Sequence, residues 1–217
     1  MQQLSQVRHR GRVLAGKAKR EARMIWDEPA ERKRLRNKLV RPYRVLRFQH
    51  FGRRAAIDEP YWLYGEHRTS IGHHVAIGKM AWLSVERPAW DKPGPVLDIG
   101  PHTIIRQGVT ISASESVVIE EYVGLGGYCS INDSNHTFSV KDGAIHNAPV
   151  VTAPVRIGAG TWIGDRVAIL AGANIGKGCF IGTNSIIRGD IPDYSIVVGM
   201  PGRVVGNVLE QFSSPAD

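Results

Sequence analysis

Isoleucine returns at every sixth position through Ile157, Ile163, Ile169, Ile175, Ile181 and Ile187. A strict period of six matches neither the 3.6-residue repeat of an amphipathic helix nor the alternation of a strand, and it predicts a β-solenoid whose chain turns a corner every six residues. The residues between repeat as well: the fifth position of each hexad is small or β-branched, as in Thr161, Val167, Ala173, Cys179 and Ser185. A narrow three-sided interior needs one bulky plug per side with something compact beside it. Glycine at the second position, as in Gly158, Gly164 and Gly176, suits a bend that leaves no room for a Cβ. Stacked coils would then bury one continuous apolar column and pair their short strands with the coils above and below.

The same grammar appears earlier in the chain. Ile71 and Ile77 lead to Leu83, the count restarts at Ile99, Ile105, Ile111 and Val117, and a two-residue slip resets it to Ile119, Leu125 and Ile131. The period fails at two places, residues 86–96 and 132–155. Pro88, Pro93 and Pro95 in the first and Pro149 and Pro154 in the second cannot donate ladder hydrogen bonds, so both read as excursions from the solenoid. The expected class is mainly β, a parallel β-helix over residues 55–207 with a loop at 132–155, preceded by a basic helical extension over 1–54 and followed by a tail over 208–217.

Charge changes the picture only at the N-terminus. The chain carries 28 Lys and Arg against 20 Asp and Glu. Residues 1–54 hold 17 of the basic residues and four of the acids, so that segment is strongly basic and the remainder is acidic. Val13, Leu14, Ala18, Ala22, Met24, Ile25, Leu35, Leu39 and Val40 recur there with rough helical spacing, and Pro29 is expected to separate two helices. Three readings stay open for this segment: a helical cap or oligomer arm, contact with an anionic membrane face, and recruitment of an acidic donor. Nucleic acid is not expected as a partner, because no recognition fold accompanies the charge. No apolar run is long enough to span a membrane and no signal-peptide pattern is visible, so a cytoplasmic protein is expected, with peripheral contact at the inner membrane face left open. Cys129 and Cys179 both fall at the compact fifth position, where a thiol packs as a small hydrophobe.

The chemistry is expected where the period stops. A loop of this length in a repeat protein covers or builds a site, and His136 stands at the coil's exit into it. Asn135–Thr137 is followed by the loop, then Pro154–Gly158, Gly160–Gly164 and Ile187–Pro192, and finally Val198–Val205 with its G-M-P-G-R-V-V ending. In that order these segments resemble the hexapeptide-repeat acyltransferases, in particular the branch that O-acetylates maltose, galactosides and lipopolysaccharide or exopolysaccharide sugars. The resemblance covers about residues 70–207. It implies a left-handed β-helix, a homotrimer with active sites in the clefts between subunits, no permanently bound cofactor, and acetyl-CoA as co-substrate, with succinyl-CoA as the variant.

Residue by residue, the resemblance makes His136 the general base, and a neutral imidazole is suited to taking the proton of a sugar hydroxyl. Trp162 matches a tryptophan that packs on pantetheine. Gly164, Thr183 and Asn184 fall where such enzymes contact the arm, and Arg203 and Arg188 near the nucleotide phosphates. The chain departs from the family at Arg188-Gly189 and at Gly202. It departs further on the acceptor side, where Arg106 stands at the position of an asparagine that holds the sugar, and a guanidinium there suits an anionic acceptor or a carboxylated acyl donor. Asn135 and Trp82 complete the acceptor candidates, with Trp90 nearby. Asp133 is the nearest carboxylate able to orient His136, His146 is a second loop histidine, and His73, His74 and His102 are expected as solvated corner residues.

The resulting expectation is a CoA-dependent O-acyltransferase acting on a saccharide, polysaccharide or glycolipid hydroxyl. Alternatives keep the fold and change the acceptor to an antibiotic or amino sugar, or remove catalysis and leave a solenoid scaffold. No metal is expected, since the paired histidines of a γ-type carbonic anhydrase are missing.

Overall fold

The computed structural model describes residues 28–91, 93–137 and 149–211. Two compact units divide the chain, Met1–Pro42 and Tyr43–Asp217. The described part of the first is helical, within α1 (Pro29–Arg47), and that helix opens on a proline, whose missing N–H is no loss at a helix start. The rest of the expected basic arm, residues 1–27, lies outside the described residues. No helix among the described residues is long and apolar enough to cross a membrane.

The second unit is a left-handed parallel β-helix with three faces. Strands on the first face end on Phe51, Ile71, Ile99, Ile119, Ile157, Ile175 and Ile191, stacked in register from coil to coil. The second face stacks Ile57, Ile77, Ile105, Leu125, Ile163, Ile181 and Val197. The third stacks Leu63, Leu83, Ile111, Ile131, Ile169 and Ile187. From Ile57 through Ile187 the isoleucines of these columns are at most 2% exposed, so every sixth residue plugs the prism as the period requires. Val117 and Ile119, where the count slips, lie on one strand, Val117–Ile119, and both are buried. The slip is therefore taken up in the corner after the third-face strand Thr110–Ala113, since Val117–Ile119 is no longer than Leu97–Ile99 and Val155–Ile157 on either side of it.

The corners explain the other hexad positions. A Cβ on Gly72 would lie 2.6 Å from Pro101 N, and one on Gly164 would lie 2.7 Å from Thr183 N, so the second position faces the backbone of the next coil. The left-handed turn falls instead at the fourth position, where His74, His102, Tyr128, Arg166 and Asn184 have φ between 57° and 61°. The fifth position faces inward and stitches coils: Thr161 Oγ1 donates to Gly176 O at 2.9 Å and accepts from Cys179 N at 3.1 Å. Cys129 and Cys179 are buried free thiols, and burial pushes both thiol pKa values up.

Both breaks are excursions. The first contains a 3-10 turn, Arg87–Ala89, that packs Ala89 into the core. The second leaves the coil after Asn132 as an antiparallel hairpin of Ser134–His136 against Val150–Thr152, pairing His136 with Val150. Its tip, including His146, lies outside the described residues. At the C-terminus the strand Arg203–Asn207 folds back antiparallel on Ser195–Val198, and a short α2 (Val208–Gln211) follows.

Candidate active site

The hairpin is fixed at its base. Asn132 Oδ1 accepts from Ser134 N at 3.1 Å, the turn expected of a short amide side chain leaving a strand. Thr137 holds the other strand through its N–H and its hydroxyl, both to Pro149 O, at 2.9 and 2.8 Å. Asp133 is fully buried and its carboxylate accepts from three successive main-chain N–H groups, Ser114 at 2.7 Å and Glu115 and Ser116 at 2.8 Å. Asp133 therefore does not orient the imidazole. It ties the root of the hairpin to the corner of the coil before it.

Beside this root lies a cavity of about 670 Å3, within the usual range for small-molecule sites. His136 and Asn135 line it from one hairpin strand, and Val150 and Thr152 from the other. The solenoid contributes Ser112, Ser114 and Asn132, and Glu86 enters from the next coil toward the N-terminus. Ser84, Ser112 and Asn132 follow Leu83, Ile111 and Ile131 on successive coils of the third face. His136 is exposed, and among the described residues no side chain hydrogen bonds to its ring.

Trp82 stands on the same face, its indole N–H donating to Ser84 Oγ at 3.3 Å and its ring stacked on Trp62 at 5.5 Å and Tyr61 at 5.8 Å. Trp90 has a packing role: its indole N–H donates to Val85 O at 3.0 Å, and its ring meets His67 and Tyr64.

The cofactor candidates form a separate group. Trp162, 48% exposed, lies on the second face over Gly124, where a Cβ would meet its ring at 2.5 Å, and Phe180 follows it in register. Gly164 stacks on Thr183 at the corner between the second and third faces, with Asn184 N–H donating to Asp165 O at 3.0 Å. Arg203 is exposed on the strand that returns along the second face. Arg106 is exposed at that same corner, its N–H on Leu125 O, and is not among the residues lining the cavity. Arg188 is exposed after the third-face strand Ile186–Ile187. Within one chain, none of Trp162, Gly164, Thr183, Asn184, Arg188 and Arg203 shares the cavity with His136.

A histidine cluster occupies the corner between the first and second faces. His74 stacks on His102 at 4.9 Å, His102 on Tyr122 at 4.7 Å, and the Nδ1 atoms of His73 and His74 approach to 2.9 Å. Arg54 reaches His74 Nε2 at 3.3 Å. His73 is exposed and His74 and His102 are partly so, as corner residues should be, and their rings are also in contact. Desolvation, then the charges of His102 and Arg54, lowers the His74 pKa. Donor nitrogens of His73, His74 and His102 lie within 4.8 Å of one another, with Arg54 holding one of them.

Glu86, Ser112 and Ser114 are cavity residues that the sequence pattern does not single out. For Ser112 the signal is a polar residue just after the inward Ile111, while Glu86 and Ser114 fall three residues past Leu83 and Ile111, where the count breaks or slips.

Residues 154–189 match the profile described as bacterial transferase hexapeptide (six repeats), the stretch that holds the isoleucine run from Ile157 to Ile187. Among curated relatives, one of Mycobacterium tuberculosis, named a probable acetyltransferase, is 37% identical over 111 residues, covering 51% of this chain and 37% of its own length. WbbJ of Escherichia coli, named for O-acetyl transfer in lipopolysaccharide biosynthesis, is 31% identical over 105 residues, covering 45% of this chain and 53% of its own. The chain thus spans between about a third and about half of the length of these relatives. Among solved structures, AntD, an N-acyltransferase from Bacillus cereus in complex with dTDP and coenzyme A, superposes with a TM-score of 0.66 at 20% identity. That match covers 77% of this chain and 87% of AntD.

Proposed function

We propose that the protein is a CoA-dependent O-acyltransferase that acetylates a sugar hydroxyl, with His136 as general base. The observation that carries this reading is His136 on a pinned hairpin at the rim of a cavity lined by hydroxyl and amide groups. Neutral imidazole takes the acceptor proton as the oxygen attacks the thioester carbonyl, and the imidazolium returns that proton to the departing thiolate. No covalent acyl-enzyme is needed. The negative oxygen of the tetrahedral intermediate is served by a backbone N–H of the donor-binding coil.

The donor is acyl-CoA, held on the second face by Trp162 and along the corner of Gly164, Thr183 and Asn184, with Arg203 and Arg188 toward the phosphates. Because this group and His136 lie on different parts of one chain, the reading requires a second subunit, and a homotrimer supplies it. The exposed apolar residues Ile104, Trp162, Phe180 and Val198 along the second face support such a contact. Support for acetyl transfer to oxygen comes from the named relatives and from the sequence likeness to sugar O-acetyltransferases. The basic N-terminal segment suits peripheral contact with an anionic membrane face, where glycolipid acceptors reside.

A second reading, N-acylation of an amino sugar, is favoured by the likeness to an N-acyltransferase. Incubation with acetyl-CoA and a panel of sugars, amino sugars and glycolipids separates the two. Product mass gives the acetyl group, and treatment with hydroxylamine removes an ester but leaves an amide. An acetyl group on nitrogen alone defeats the first reading, and no acceptor-dependent product defeats both.

A further inference from the structure

The described lining of the cavity beside His136 holds one acid, Glu86, and no lysine or arginine. Glu86 enters where the third-face strand Trp82–Val85 gives way to the 3-10 turn Arg87–Ala89. Glu86 stands at the N-cap of that turn and its side chain makes no cap bond to it. Its main-chain N–H is fixed on Ala113 O at 2.9 Å, and its Oε1 accepts from Ser84 Oγ at 3.0 Å. Ser84 in turn accepts from the Trp82 indole N–H, so the carboxylate is aimed by a relay that begins at the aromatic tier.

The nearest cation in sequence is engaged elsewhere. Arg87 donates from Nε to Tyr64 Oη at 2.9 Å and lies over Trp90 at 5.7 Å. None of the salt bridges among the described residues involves Glu86. An oriented carboxylate with no counter-ion among the described residues accepts hydrogen bonds from hydroxyl groups and repels anions, more strongly as bound ligand displaces water. The groups around it, Ser112, Ser114, Asn132, Asn135 and Thr152, are uncharged donors and acceptors that match sugar hydroxyls. Arg106, the guanidinium suited to an anionic acceptor, is not on this lining.

Resting on the acyl-transfer reading above, we propose that Glu86 selects the acceptor. It binds an uncharged sugar ring through its hydroxyls and turns away rings bearing a carboxylate or phosphate.

Binding is measured by calorimetry and ligand-observed NMR on the full chain carrying His136→Ala, with and without Glu86→Gln. The probes are the methyl glycosides of glucose, galactose and mannose and the matching methyl uronides. At least one neutral glycoside is expected to bind about tenfold or more tightly than its uronide, the scale of one unscreened like-charge contact, and Glu86→Gln should shrink that gap below about threefold. Glu86→Lys, checked for its fold by circular dichroism, should reverse it. The proposal is overturned if uronides bind as well as neutral rings, if the gap survives Glu86→Gln, or if no neutral glycoside binds saturably. The assay uses no acyl donor, so neutral-ring selection without any acyl transfer sinks the transferase reading alone. Equal transfer to neutral sugars and uronides by the unmodified protein sinks only the selection by Glu86.

Discussion

Asp133 Oδ1 accepts a 2.7 Å hydrogen bond from the main-chain N–H of Ser114, and the same carboxylate takes Glu115 and Ser116 as well. The bond joins the root of the His136 hairpin to the preceding coil, so His136 is positioned through the solenoid. Bonds from neutral donors to an ionised acceptor contribute about 1.5–3 kcal/mol each, and leaving buried N–H groups unmet costs more than the bond alone. Asp133→Ala, which removes three such bonds at once, should therefore lower stability by at least about 4 kcal/mol, and Asp133→Asn, which keeps one acceptor oxygen, by about 2, read from denaturant midpoints. Asp133→Asn should also lose acetyl transfer beyond its loss of folded protein, since the hairpin is no longer held. Full activity in folded Asp133→Asn would contradict this.

Trp162 covers Gly124, and a methyl group there meets the ring at 2.5 Å. Gly124→Ala should push the indole off the second face, and Trp162→Ala should remove it. Both should raise the KM for acetyl-CoA about tenfold with a smaller change in kcat, the pattern of lost binding outside the reacting atoms. An unchanged KM in Trp162→Ala would remove the second face from the donor site.

His74 carries a folded-state pKa below its ordinary 6.5, through desolvation first and the charges of His102 and Arg54 next. Between the lowered value and 6.5 the unfolded chain binds the extra proton, so stability rises with pH there and levels off above 6.5. Melting temperature should fall as pH is lowered from 7 toward 5, and His74→Gln should flatten that dependence. A His74→Gln profile parallel to the original would assign the loss to other groups.

The fifth hexad position should be sensitive in proportion to its bonds. Thr161 bridges Gly176 O and Cys179 N, so Thr161→Val leaves two buried groups unmet and should cost about 2–3 kcal/mol. Cys179→Ala keeps the coil backbone pairing and should cost about 1–2 kcal/mol for lost packing. The two are ranked by urea titration, and a larger loss in Cys179→Ala would reverse the argument.

The solenoid was legible because its rule is local: an apolar plug every six residues within each run between Ile71 and Ile187 fixes which side chains face inward whatever lies on the surface. The extra residue pair at Val117 and Ile119 showed in the count, but not that both would fit one strand. His136 and Asn135 were readable from the break in period. Asp133 was misread because its partners, Ser114 to Ser116, belong to the previous coil, a relation set by register and not by sequence distance. Glu86 escaped for the same reason, with residues 86–96 hiding the alignment of Ser84 and Ser112. The contacts within the histidine corner were not legible, because exposure at a turn does not reveal that successive coils stack their fourth-position rings.

The central claim is that His136 takes the acceptor proton. Its most direct test is acceptor-dependent release of CoA thiol from acetyl-CoA by the unmodified protein and by His136→Ala, with product mass followed in parallel. A general base contributes about 10²–10⁴-fold, so His136→Ala should lower acceptor-dependent kcat at least about a hundredfold while leaving the KM for acetyl-CoA near its original value. Equal release by the two proteins with every acceptor would contradict the account.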